Sequence, residues 1–163
     1  MQRNATRNLA AVLALGALAA CVAETPPPPL PPLAPLSADP QEPALALIEH
    51  VLVAHFTSQA KDADPATTCV ELRPGGLRAT QEQALIARFP RLAPRERCAT
   101  QVPPPEDQFT GERAEVVQVY GMECSGPTNC AASVAREGGT PMQYTLVFDQ
   151  GAWAFRDDPA KAE

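Results

Sequence analysis

M-Q-Y-T-L-V-F-D-Q-G-A-W-A-F-R, residues 142–156, decides how this chain reads. Met142, Tyr144, Leu146 and Phe148 recur at every second position, the spacing of side chains that share one face of a strand. Asp149-Gln150-Gly151 is turn chemistry, and Ala152-Trp153-Ala154-Phe155-Arg156 resumes the strand, so the segment predicts a hairpin. Upstream, Arg113 to Cys124 is valine-rich and carries Tyr120, and Ala131 to Arg136 alternates more weakly. Strands joined by short loops build an antiparallel sheet with one apolar face. Such a face must be covered.

The cover lies in A-L-A-L-I-E-H-V-L-V-A-H-F, residues 44–56, where Leu45, Ile48, Leu52 and Phe56 recur at steps of three and four and Leu47, Val51 and His55 widen the stripe. That period predicts an amphipathic helix. Asp39, Pro40 and Glu42 offer capping chemistry ahead of it. A shorter helix is expected in T-Q-E-Q-A-L-I-A-R-F, residues 80–89, with Thr80 and Gln83 as a capping box and Pro90 as its stop. T-T-C-V-E-L (67–72) and R-E-R-C-A-T-Q-V (95–102) bracket it and have the character of short strands. The expected fold is α+β: an N-terminal helix and a shorter second helix packed on a curved antiparallel sheet.

This element order resembles the cone-shaped group related to nuclear transport factor 2 (NTF2-like) and, in part, the cystatin-like fold, over residues 44–156. The resemblance implies a long helix lying in a curved sheet. It also implies an interior that some NTF2-like enzymes furnish with an Asp, His or Tyr. His55, Tyr120, Tyr144 and Trp153 are the candidate pocket residues here, although no spacing marks them as a working set and each also reads as core.

Residues 1–20 have a basic start with Arg3 and Arg7, an apolar stretch from Leu9 to Ala20, and small residues before Cys21. This is the layout of a signal peptide, too short before Glu24 to span the roughly 20 residues a membrane helix needs. Leu18-Ala19-Ala20-Cys21 resembles the lipobox of bacterial lipoproteins. That resemblance implies cleavage before Cys21, acylation of its sulfur and amine, and, because Val22 and not an aspartate follows, an outer-membrane destination. The alternative is an ordinary signal peptide cut near Ala20 or Ala23. Two or more acyl chains hold a protein at a bilayer stably where one does not. The sequon Asn4-Ala5-Thr6 falls inside the segment expected to be removed.

Thr25 to Pro43 is rich in proline, which fixes φ and lacks an amide donor, so it predicts an extended tether and not a core. The expected organisation is a signal peptide (1–20), a lipidated Cys21 with its tether (21–43), one disulfide-stapled domain (44–158) and a tail (159–163). The full chain carries 13 basic and 19 acidic residues. Without Arg3 and Arg7, 11 basic residues face 19 acidic ones. Such an excess repels nucleic acid, so no nucleic-acid partner is expected.

Cys69, Cys98, Cys124 and Cys130 are disulfide candidates in an exported chain, with three connectivities open. Cys124 and Cys130 flank S-G-P-T-N at the ends of two expected strands and can face each other across a hairpin, which leaves Cys69 for Cys98. No metal site is expected, since the one close cysteine pair has five residues between its members and no histidine follows His55. His50 and His55 point about 140° apart on a helix and cannot share a proton or a metal. None of Ser37, Ser58, Ser125 and Ser133 stands in a nucleophile elbow. Arg88, Arg91, Arg95 and Arg97 form a basic run expected to be solvated and balanced by acids, and Pro103 to Asp107 an exposed connector.

No catalytic set and no cofactor are legible. The function expected is a lipid-anchored binding module of the cell envelope with a protein or cell-wall partner. The alternatives are a small-molecule pocket, a hydrolase or isomerase of NTF2-like type, and an inhibitor or assembly factor whose S-G-P-T-N loop projects as a wedge.

Overall fold

The computed structural model describes residues 35–62, 64–100 and 103–159. The expected signal segment, Cys21 and the proline tract up to residue 34 lie outside the described residues, as do residues 160–163.

A 3-10 turn at Leu36–Ala38 leads into helix α1, Pro43–Gln59. Pro43 sits at its first position, where a missing N–H removes no hydrogen bond. Leu45, Leu47, Ile48, Val51 and Leu52 are all buried, and so are Ala46 and Glu49. The buried surface is wider than one stripe because the helix packs chiefly on the Leu36–Ala38 turn and on strands β4 and β7, described next. Strand β1 (Thr67–Leu72), helix α2 (Ala79–Arg88), a 3-10 turn (Arg95–Arg97), and the two-residue strands β2 (Cys98–Ala99) and β3 (Glu106–Asp107) follow. The chain then runs through β4 (Ala114–Gly126), β5 (Asn129–Arg136), β6 (Met142–Asp149) and β7 (Ala152–Pro159).

The α+β class and the two helices are present, but the sheet is mixed and curled, not purely antiparallel. Its order is β1-β4-β5-β6-β7, with β1 parallel to β4 from Thr67↔Ala114 to Leu72↔Val119. A parallel pair needs a long crossover, and residues 73–113 supply one. The β4–β5 register shifts between Tyr120 and Glu123, where Gly121 takes a positive φ of 64°. A bulge of this kind bends its strand and adds twist. The hairpin from β6 to β7 is as the alternation predicts: Asp149 pairs with Ala152, and Gln150 and Gly151 take φ of 50° and 82°. Positive φ at both central positions matches the twist of the flanking strands.

β4 starts between two cores. Val117 and Val119 face α1 with Val70, Leu146 and Trp153, while Ala114 and Val116 face Cys69, Cys98 and Ala93 on the other side. The folded body also begins before Ala44, the start expected from sequence: Leu36 packs on the main core, and the Trp153 indole Nε1 donates to the Asp39 carbonyl at 2.9 Å. Two further expectations change. In R-E-R-C-A-T-Q-V the described strand is only Cys98–Ala99, because Pro94 caps a 3-10 turn through the arginines. The N-cap of helix α2 is Arg78, two residues before Thr80 of the expected box, with the Gln81 side chain accepting the Arg78 amide at 2.9 Å, so Thr80 lies inside the helix.

Candidate binding surface

The C-terminal end of α1 meets the N-terminal ends of β1 and β4 at an open cleft of about 560 Å³. Gln59, Lys61, Asp62, Asp64, Glu112, Arg113 and Glu115 are among its lining residues. Behind Gln59 and Glu115 is a polar knot. His55 Nε2 and Thr68 Oγ1 share a hydrogen bond at 2.9 Å, and the same Nε2 lies 3.7 Å from Glu115 Oε2. Gln59 donates to Thr68 Oγ1 and to Glu115 Oε2, each at 3.4 Å, and its own oxygen accepts from Arg91 at 3.1 Å.

The knot is structural in its geometry. A nucleophile relay places the nucleophile on one imidazole nitrogen and the orienting carboxylate on the other, whereas Thr68 and Glu115 both meet Nε2. Thr68 is also fully buried. Burial pushes the His55 pKa down, Arg136 adds to that, Glu115 opposes it and Arg91 lowers it further. A folded-state value below the unfolded one means that neutral His55 supports the fold above about pH 6.5, and that this support is lost as the pH falls through the folded value. Urea unfolding of the native protein is therefore expected to show stability declining from pH 7.5 to pH 5, with a shallower decline in His55→Gln; equal slopes would contradict the assignment.

One edge of the cleft is a turn from Asp107 to Glu112, and its first residue, expected to end an exposed connector from Pro103 to Asp107, is not exposed. Asp107 is 0 % exposed, and Pro105 is buried too. The Asp107 carboxylate accepts from Arg97 Nε at 2.8 and 2.9 Å, from Thr67 Oγ1 at 2.7 Å and from the Phe109 amide at 3.0 Å. These donors come from three separate elements. The Arg97 hydrogen bond, against the effect of burial and with help from Thr67 and Phe109, holds this carboxyl well below the usual carboxylate range. The Asp107 backbone closes the turn, its N–H reaching the Glu112 carbonyl and its carbonyl accepting from Gly111. At the tip Phe109 is 82 % exposed, with the Arg97 guanidinium 5.5 Å from its ring centroid. Glu112, which closes the turn, also lines the cleft.

The four candidate pocket residues do not come together. Trp153 sits ahead of α1, through Asp39, and His55 near the end of the helix, so that about 18 Å of helix, from Pro43 to His55 at 1.5 Å per residue, separates them. Tyr144 packs in the main core against exposed His50, which stacks on Phe155 at 4.4 Å; burial raises the Tyr144 pKa, helped by Asp157. Tyr120 pairs with Ser133 on the face opposite Val119 and Val134, away from α1. The arginine run is committed internally and not simply solvated: Arg88 to Glu49, Arg91 to Gln59, Arg95 to the Cys98 carbonyl and Arg97 to Asp107.

Cys69 and Cys98 are bridged across a Cα separation of 6.3 Å, and Cys124 and Cys130 across 4.0 Å. The S-G-P-T-N loop narrows to a two-residue turn, Pro127-Thr128, and the Thr128 carbonyl accepts from the Phe148 amide at 2.8 Å. It is stitched to β6 and does not stand clear as a wedge. No three His, Cys, Asp or Glu side chains among the described residues are grouped to hold a metal.

No protein-family model matches the chain, and no curated protein or solved structure is significantly similar to it. The signal for the missed turn was present in D-Q-F-T-G, residues 107–111, since an aspartate at the head of a turn and a glycine near its end are turn chemistry.

Proposed function

We propose that this chain is a lipid-anchored binding module of the bacterial cell envelope, held at the outer membrane through Cys21 and engaging a protein partner through the Phe109 turn. The observation that carries the reading is the exposure of Phe109 on a turn rooted in a buried, fully ligated carboxylate. A rigid aromatic loses little freedom when it is bound, and aromatic anchors dominate interface energetics. Filling an apolar socket with Phe109 is worth roughly 1.5–3 kcal/mol. Glu106 and Glu112 stand exposed on either side of it, so the matching socket carries basic residues at its rim. The two disulfides fit an oxidising compartment. A long helix laid along a curled sheet supports an NTF2-like or cystatin-like assignment of the domain.

The test is a photoreactive residue at Thr110, irradiated in intact cells, with and without Phe109→Ala. One discrete adduct is expected in the membrane fraction. It disappears with Phe109→Ala at unchanged melting temperature, and it moves to the soluble fraction with Cys21→Ser. An adduct indifferent to Phe109 would refute the binding surface; unaltered fractionation of Cys21→Ser would refute the anchor.

A further inference from the structure

The two disulfides differ in what governs attack by an outside thiol, namely access to a sulfur. Cys69 and Cys98 are 0 % and 1 % exposed and are enclosed with Ala93, Ala114 and Val116. Opening that bridge requires the cluster to come apart. Cys124 is exposed, and both Cys124 and Cys130 line an open cleft of about 400 Å³ at the end of the β4–β5 hairpin. Among the described residues Glu123 is the only charged one lining this cleft, so an incoming thiolate meets a single carboxylate from them there.

The hairpin is also held without its bridge. Gly126 pairs with Asn129 beyond it and Glu123 with Ala131 behind it, while the Thr128 carbonyl is fixed to the Phe148 amide. Cys130 is further paired with Leu146 on β6. The β4–β5 register shifts between Cys124 and Gly126, but pairing continues on both sides of the bridge, so a bond across these opposed positions can open while the ladder stays.

We propose that Cys124–Cys130 is a thiol–disulfide exchange site whose substrate is a protein dithiol, and that Cys69–Cys98 is closed to the same reagent. The dithiol's thiolate attacks the exposed Cys124 sulfur, a new S–S bond forms there, and the Cys124–Cys130 bond breaks with its electron pair going to Cys130, which takes up a proton. The second thiol of the reductant then attacks its own sulfur in the mixed disulfide and releases Cys124, which is protonated in turn. Two electrons and two protons pass to the bridge, and the reductant leaves as a disulfide. The proposal depends on neither the lipid anchor nor the Phe109 surface.

The oxidised full chain is mixed with a thioredoxin-type protein whose resolving cysteine is replaced by serine, so that the first attack is trapped. A mixed disulfide mapping to Cys124 is expected. In a parallel reduction with dithiothreitol, quenched by iodoacetamide, Cys124 and Cys130 are alkylated on the order of 100-fold faster than Cys69 and Cys98, because the buried bridge is reached only after local opening. The far-UV circular dichroism stays native while this happens. Absence of the adduct, mapping to Cys69 or Cys98, or equal rates for the two bridges would overturn the proposal. So would an unfolded Cys124→Ser/Cys130→Ser protein, since the bridge would then be needed for the fold.

Discussion

Asp107→Ala is expected to lower the melting temperature by on the order of 10 °C, and to leave Phe109 on a loosened turn. The substitution removes one acceptor from three donors at once: the Arg97 guanidinium, the Thr67 hydroxyl and the Phe109 amide. Arg97 is then left partly buried without its carboxylate, which is the expensive way to break an ion pair. Because the folded carboxyl is held below its ordinary value, its contribution is complete above about pH 4 and is lost as the pH falls toward the folded value. Acid titration of thermal stability is expected to show this loss in the native protein. Asp107→Asn lacks it and is less stable than the native protein at pH 7. A variant as stable as the native protein at pH 7, with the same acid limb, would show that the buried carboxylate does not hold the turn.

The second large effect is expected from Cys69→Ala/Cys98→Ala. On the loop-entropy account a bridge over a separation of 29 residues contributes about 3.6 kcal/mol, and one over 6 residues about 2.2 kcal/mol. The longer bridge also joins β1 to β2, and so links the parallel edge of the sheet to the segment that carries Arg97. A loss of that size is a large share of the roughly 5–15 kcal/mol that holds a typical domain. Denaturant midpoints should fall further for this double variant than for Cys124→Ala/Cys130→Ala; equal or reversed losses would contradict the argument.

Local pattern made part of this fold legible. The β6–β7 hairpin is written in strict alternation plus a turn that tolerates positive φ at Gln150 and Gly151, and both signals lie within 15 residues of sequence. Helix α1 is likewise written in its own spacing. The parallel place of β1 is not, because Thr67 pairs with Ala114 across a crossover that no local period encodes. The face of Tyr120 was also hidden: A-E-V-V-Q-V-Y, residues 114–120, is apolar at both parities since β4 is covered on both sides, so alternation cannot say which residues point toward α1. The binding surface escaped for a related reason. A carboxylate looks solvated in sequence, and Asp107 is buried only because Arg97 and Thr67, 10 and 40 residues away, supply its donors. The cysteine pairing was more accessible, since spacing and turn residues suggested one partner for Cys124 and elimination the other.

Trp153 is the one tryptophan in the chain, and its indole N–H is spent on the Asp39 carbonyl. Intrinsic fluorescence excited at the red edge therefore reports on a single corner, where the segment leading into α1 is clasped against β7. A shift of its emission maximum toward longer wavelength marks release of that clasp. Occupation of the far end of the helix, beside Gln59 and Glu115, should leave the spectrum dark to the event, so a ligand there is better followed by an extrinsic dye on the Phe109 turn.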